Sequence, residues 1–142
     1  RPHGAGMILG IGADLVEVAR IRGAHERFGD RFLRRILRPD ELTYCGSQAD
    51  PAPHWAARFA AKEAVSKAFG TGIGAQLGWL DMEVRRLPSG QPVLALHDKG
   101  AALLAARGGG RVHLSLSHTA SHAMAMAVLE SGETPATSDL PG

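Results

Sequence analysis

Trp55-Ala56-Ala57-Arg58-Phe59-Ala60-Ala61-Lys62-Glu63-Ala64-Val65-Ser66-Lys67-Ala68-Phe69 is rich in alanine and contains no glycine or proline. That composition predicts a helix over residues 55–69, the longest one expected in the chain. Gly70-Thr71-Gly72-Ile73-Gly74 follows, which ends the helix and begins a mobile loop. Glu63 and Lys67 stand four apart, so they share a face; as a plain surface pair they would contribute only about 0.3–0.5 kcal/mol. Arg58 and Lys62 form a second such pair on a neighbouring stripe.

Downstream of this helix the pattern changes to strands. Residues 80–87 and 93–97 read as strands joined by Pro88-Ser89-Gly90-Gln91-Pro92, a hairpin signal. A short helix is predicted over 98–107, with Asp98 as candidate N-cap and a glycine run after it. Val112, Leu114 and Leu116 alternate with Arg111, His113, Ser115 and Ser117, which predicts a half-buried strand. Residues 122–129 give the returning strand.

Upstream, residues 7–12 read as a glycine-interrupted strand with Asp14 at its end. A helix is predicted over 15–28, broken by Gly29-Asp30 and resumed over 31–37 until Pro39. One further turn is expected at 40–45, then a polar loop at 48–53. No repeat and no internal boundary is visible. The expected fold is one α+β domain, a mainly antiparallel sheet packed with one long and several short helices.

The 142 residues suffice for one domain with a real core. Hydrophobic residues at 44% and charged residues at 21% are ordinary for a globular chain. The lone Cys45 allows no internal disulfide, so a reducing cytoplasm is the expected compartment. No apolar run is long enough for a membrane span, and Met7-Ile8-Leu9 is too short for a secretion signal. Arg1 to Gly6 reads as a leftover ahead of a natural start at Met7, the domain as 7–130, and 131–142 as a polar tail. Arg20, Arg22, Arg27, Arg31, Arg34, Arg35 and Arg38 crowd one region although the net charge is only +2. Such a patch suits an anionic partner, or is merely a solvated helical face.

Several common chemistries are excluded by their missing motifs. Gly10-Ile11-Gly12-Ala13-Asp14-Leu15 opens like a dinucleotide fingerprint but has Leu15 where the third glycine belongs. There is no phosphate-binding G-x-x-x-x-G-K-[ST] loop, no H-E-x-x-H, no cysteine pair for zinc, and no G-x-S-x-G elbow. Asp14 and Glu17 have capping-box spacing, so Asp14 could simply cap a helix. Taken alone the cap is the favoured reading, although two carboxylates at such a turn could also begin a magnesium site, since this hard cation takes oxygen ligands. Ser115 and Ser117 lack a visible base and oxyanion donors, so a serine nucleophile is rejected.

Taken together, three segments resemble the holo-[acyl-carrier-protein] synthase family of bacterial 4′-phosphopantetheinyl transferases. They are residues 10–17 with Arg20-Ile21, residues 55–72, and His113-Leu114-Ser115-Leu116-Ser117-His118-Thr119. The resemblance implies a phosphopantetheinyl-transferase-like fold and a Mg²⁺ ion, or Mn²⁺ in its place, held by Asp14 and Glu63. It implies catalysis by Asp14, Glu63 and Lys67. Coenzyme A would be contacted by Arg58, Lys67, Gly70, Gly72 and His113. Arg20, Arg27 and Phe28 would receive an acidic acyl carrier protein, with Arg22 as a neighbour. It further implies a homotrimer with active sites between subunits, and neither nucleic acid nor membrane as partner.

Two other readings compete. A small basic nucleic-acid-binding module would explain the arginine cluster and a sequence pI near 9.1, but aromatic residues are only 5% and no recognition motif is present. A coenzyme-binding protein without turnover would keep the ligand and yield no modified carrier.

Overall fold

The alanine content of the predicted helix has a structural reason. In the computed structural model, whose described residues are 6–132, helix α4 (Ala52–Phe69) is buried around most of its circumference. Alanine supports a helix without bulk, so Ala57, Ala60, Ala61, Ala64 and Ala68 let neighbouring backbone come close. Pro53 fits the first turn, which carries the start of α4 to Ala52, earlier than predicted. Gly70 ends the helix in the left-handed conformation, φ 77°.

A three-stranded antiparallel sheet covers α4. Strand β1 (Ile8–Glu17) pairs with β5 (His122–Glu130), which pairs with β4 (Arg111–His118), in the order β1-β5-β4. Toward the helix, β1 presents Gly10 and Gly12. A β-carbon at Gly10 would overlap the carbonyl oxygen of Ala68, and one at Gly12 that of Ala64. Strand backbone therefore rests directly on helix backbone. The glycines that mimic a dinucleotide fingerprint are contact glycines. Ala123, Ala125 and Ala127 of β5, all buried, continue the same close fit. Gly12→Ala forces the layers apart and should cost about 1–3 kcal/mol, read as a lower urea midpoint with an unchanged slope.

The first strand runs further than its sequence suggests. Residues 13–17 stay extended because β5 supplies partners along the whole length, Asp14 opposite Ala125 and Glu17 opposite His122. Only then does α1 (Val18–Phe28) begin, with the Val18 N–H donating to the Ser121 carbonyl at 2.9 Å. Asp14 therefore caps no helix. Two short helices follow, α2 (Asp30–Ile36) and α3 (Pro39–Gly46).

After α4, a 3-10 turn at Trp79–Asp81 leads into the hairpin β2 (Met82–Arg86) and β3 (Pro92–Leu96), a separate two-stranded sheet. Helix α5 (Asp98–Ala106) comes next. The predicted cap at Asp98 is not observed: His97 takes the N-cap position, and Asp98 is the first helical residue, at φ 48°. Residues 1–5 and 133–142, most of the predicted leader and tail, lie outside the described residues.

One buried ion pair ties these elements together. Lys62 on α4 and Glu41 on α3 have no exposed side-chain surface, and the Lys62 Nζ donates to Glu41 Oε1 at 2.7 Å and to the Ile36 carbonyl at 2.6 Å. Glu41 also accepts the Arg38 N–H at 2.8 Å and the Val84 N–H at 2.9 Å. Four segments thus meet on two side chains. The Arg58–Lys62 stripe predicted as a helix surface is interior, since Arg58 too is only 1% exposed.

The sheet's other face is open and apolar. Ile11 (63% exposed), Leu15 (67%), Met124 (43%) and Met126 (46%) lie on it together, Leu15 opposite Met124.

Candidate active site

Close packing of β1 on α4 fixes where the acidic side chains sit. Side chains alternate along β1, so Asp14 shares the inward face with Gly10, Gly12 and Val16. There it meets Lys67, whose Nζ donates to Asp14 Oδ1 at 3.2 Å and to the Ala13 carbonyl at 3.0 Å. Glu63 lies one helical turn before Lys67. Its carboxyl is pushed above the ordinary carboxylate range, first by burial and then by the charge of Asp14, while Lys67 and Arg20 partly offset the rise. Two acids thus face each other across a rigid strand–helix contact, and Lys67 and Arg20 offset only part of what burial and their mutual repulsion impose on Glu63.

Glu63 and Asp14 offer hard oxygen donors, and their mutual repulsion is relieved by a cation placed between them. Among the described residues no group of three or more His, Cys, Asp or Glu converges. Asp14 and Glu63 are the two side chains that would hold a hard cation such as Mg²⁺ here. Arg20 reaches across from α1, its guanidinium 5.4 Å above the Phe59 ring, and Phe59 in turn stacks on Trp79 at 4.9 Å. Gly70 and Gly72, at φ 77° and 66°, shape the loop leaving the helix beside Lys67.

A second cluster lies toward the N-terminal end of α4. The Arg58 guanidinium sits 4.5 Å over the Tyr44 ring, and Arg86 approaches the same ring at 5.3 Å. Arg58 Nε and Nη1 are buried without a hydrogen-bond partner among the described residues. The His54 ring stacks edge-on against His118 at 5.0 Å and faces Tyr44 at 6.0 Å. Asp40 and Glu83 also line the adjoining cavity of about 290 Å³. Glu83 is occupied, however, by Arg85 at 3.2 Å and His97 at 2.7 Å, which hold its carboxyl below the ordinary range against the effect of its burial. From Arg58 to Glu63 the helix rises about 7–8 Å, so the two clusters are neighbours on one element.

The structure thus brings Asp14, Glu63 and Lys67 together and places Arg58 in the second cluster, nearer the start of the same helix. His113 stands apart: it lies on the opposite face of the sheet, with Nε2 2.9 Å from Glu130 Oε1. His118, on the inward face of the sheet, packs against His54 of the second cluster instead. Sequence reasoning assigned it no role, and it missed Tyr44, His54 and Arg86 altogether. The one available signal was strand parity, since His118 alternates with the buried side and His113 with the exposed one. On α1, Arg27 lies 5.1 Å over Phe28, which is 58% exposed, and both face solvent at the helix end. Arg22 is engaged with Asp50 at 2.9 Å and Arg38 with the Leu80 carbonyl at 2.6 Å. Among the described residues no helix is long and apolar enough to cross a membrane.

Residues 10–127 match the model of the 4′-phosphopantetheinyl transferase superfamily. The chain is 52% identical over 124 residues to the holo-[acyl-carrier-protein] synthase of Koribacter versatilis, an alignment covering 87% of this chain and 99% of that one. Among solved structures it resembles the Bacillus anthracis holo-(acyl-carrier-protein) synthase in complex with CoA (3′,5′-ADP). That match has 41% identity and a TM-score of 0.74, covering 89% of this chain and 99% of the other. The Helicobacter pylori synthase in complex with coenzyme A aligns at 35% identity and TM-score 0.73, covering 85% and 99%. With an expected fold that agrees and matches that span nearly the whole of each relative, the chain belongs to the holo-[acyl-carrier-protein] synthase family of the 4′-phosphopantetheinyl transferase superfamily.

Proposed function

We propose that this transferase moves 4′-phosphopantetheine from coenzyme A to a serine hydroxyl of an acidic apo acyl carrier protein, releasing 3′,5′-ADP, in the cytoplasm. The observation that carries the reading is the meeting of Asp14, Glu63 and Lys67 on one strand–helix contact. The serine oxygen attacks the β-phosphorus, and the bond from that phosphorus to the bridging oxygen breaks. Such transfer needs positioning and neutralised oxygen charge more than covalent help. A Mg²⁺ ion held by Asp14 and Glu63, or Mn²⁺ in its place, supplies that neutralisation at the pyrophosphate when bound. Lys67 adds a mobile ammonium that can turn from Asp14 to phosphate. The serine proton would pass to Glu63 or to a water held beside it.

The Arg58–Arg86–His54–His118 cluster fits the remaining charge of the coenzyme. Its 3′-phosphate is a dianionic monoester, and a buried arginine with unused donors is suited to it. Arg20, Arg27 and Phe28 offer a basic, partly apolar surface for the carrier. The open face of Ile11, Leu15, Met124 and Met126 supports a homotrimer, because apolar sheet surface of this kind favours coverage by another subunit. His113 would then sit at that interface. Mixing a Glu63 variant with a His113 variant restores activity if the site is shared, and leaves it absent if each subunit works alone.

The direct test is mass spectrometry of an apo carrier incubated with the chain, coenzyme A and Mg²⁺, which should show the mass of one added phosphopantetheine. Unmodified carrier would overturn the reading, and coenzyme binding without product would leave only a binding protein. Rising salt should raise KM for the carrier while kcat holds, since surface charge steers the encounter. The nucleic-acid alternative weakens because Arg22 and Arg38, although at the surface, are held by Asp50 and by the Leu80 carbonyl.

A further inference from the structure

Resting on the coenzyme reading above, we infer that His54 is a proton-coupled contact for the phosphomonoester of the coenzyme, binding it as imidazolium. His54 lies in the first turns of α4, four residues before Arg58, so both side chains share one face of the helix. Its Nδ1 is buried and has no hydrogen-bond partner among the described residues, the same condition as Nε and Nη1 of Arg58, which is 1% exposed. Unpartnered buried nitrogens on two adjacent turns, two of them guanidinium donors and the third a donor once the imidazole is protonated, call for an anion. The ring is already oriented, held between His118 at 5.0 Å and Tyr44 at 6.0 Å.

The charges facing His54 come from several elements. Arg58 is on its own helix, His118 on β4, Arg86 on β2, and Asp50 precedes the helix. In the free chain, burial holds the imidazole below its ordinary value of 6.5, helped by His118, Arg58 and Arg86; only Asp50 pulls the other way. A phosphate dianion among these groups reverses the balance. It brings negative charge and an acceptor for the orphaned nitrogen, so the imidazole gains a proton as the ligand binds. Affinity should therefore rise as pH falls through the histidine range, and it should do so through one side chain.

Calorimetric titration of the full chain with coenzyme A and Mg²⁺, in two buffers of different ionisation enthalpy, measures the proton uptake. Comparing wild type with His54→Phe cancels the phosphate's own titration. The variant should take up less proton and bind about tenfold more weakly near pH 6, with the gap closing at higher pH, as a charge-assisted hydrogen bond implies. His54→Gln keeps a polar tip without titrating, and gives the same answer should the phenylalanine disturb folding. With 3′-dephospho-coenzyme A the difference between wild type and variants should vanish. Equal proton uptake with parallel pH profiles overturns the inference while leaving the coenzyme site intact, as does a difference that persists without the 3′-phosphate. Failure of wild type to bind coenzyme A at any pH would instead overturn the coenzyme reading itself.

Discussion

Asp14→Asn and Glu63→Gln should each lower turnover about 10²- to 10³-fold, the usual cost of removing one element of a preorganised charge site. Both should also lose Mn²⁺ binding, followed by electron paramagnetic resonance in the absence of carrier, so the defect is seen before any chemistry. Folding should not suffer. Glu63's carboxyl is raised above its ordinary value of 4.5. A raised group favours the folded state below its unfolded value, and that contribution is lost as pH rises through the folded value. At neutral pH the charged Glu63 is thus a burden on the metal-free chain, and Glu63→Gln should unfold at equal or higher denaturant concentration. Near-normal turnover in Glu63→Gln would remove it as proton acceptor. Near-normal Mn²⁺ binding in both variants would dissolve the site.

Lys62→Met should be the most damaging single change to stability, at about 3–5 kcal/mol. The cost arises from the partner left behind. Glu41 would keep a buried carboxylate with two backbone donors, Arg38 N–H and Val84 N–H, but without its neutralising ammonium. Burial already pulls Lys62 below the ordinary lysine value, with Glu41 as the main counterweight. Each partner is therefore tolerated only because of the other. Adding Glu41→Gln to Lys62→Met should recover part of the loss, since the amide oxygen still accepts one backbone N–H and no charge is stranded. Urea unfolding of the two single variants and the double variant measures this coupling. Additive losses would mean that the pair is no pair energetically.

The helix at 55–69 and the last two strands were legible because local pattern and tertiary fate agree there. Alanine-rich sequence without breakers is helical in any setting, and the alternation of Val112, Leu114 and Leu116 maps onto a sheet with one covered face. The start of the chain was misread where tertiary structure overrides local signal. Asp14-Leu15-Val16-Glu17 carries cap-like spacing, yet pairing with β5 keeps it extended. The role of Gly10 and Gly12 was invisible for a related reason: a glycine's purpose lies in what approaches it.

Legibility of the site follows the same division. Asp14, Glu63 and Lys67 could be nominated from resemblance, but their convergence depends on a contact between residues 53 apart in the chain. His54 escaped notice because it fell between the loop expected at 48–53 and the helix expected at 55–69. His113 and His118 are equivalent by type and differ only in strand parity, which places them on opposite faces.

Gly10 and Gly12 act as a ruler with no adjustable parts. Most active sites space their groups through side chains, which selection can lengthen, shorten or trade one atom at a time. Here the interval between the two acids is set by main chain touching main chain, and that interval has no graded alternatives. Descendants of this chain can vary the surroundings of the coenzyme and the carrier freely. An engineer seeking a different spacing must change the identity of the acids, because the backbone contact leaves no slack.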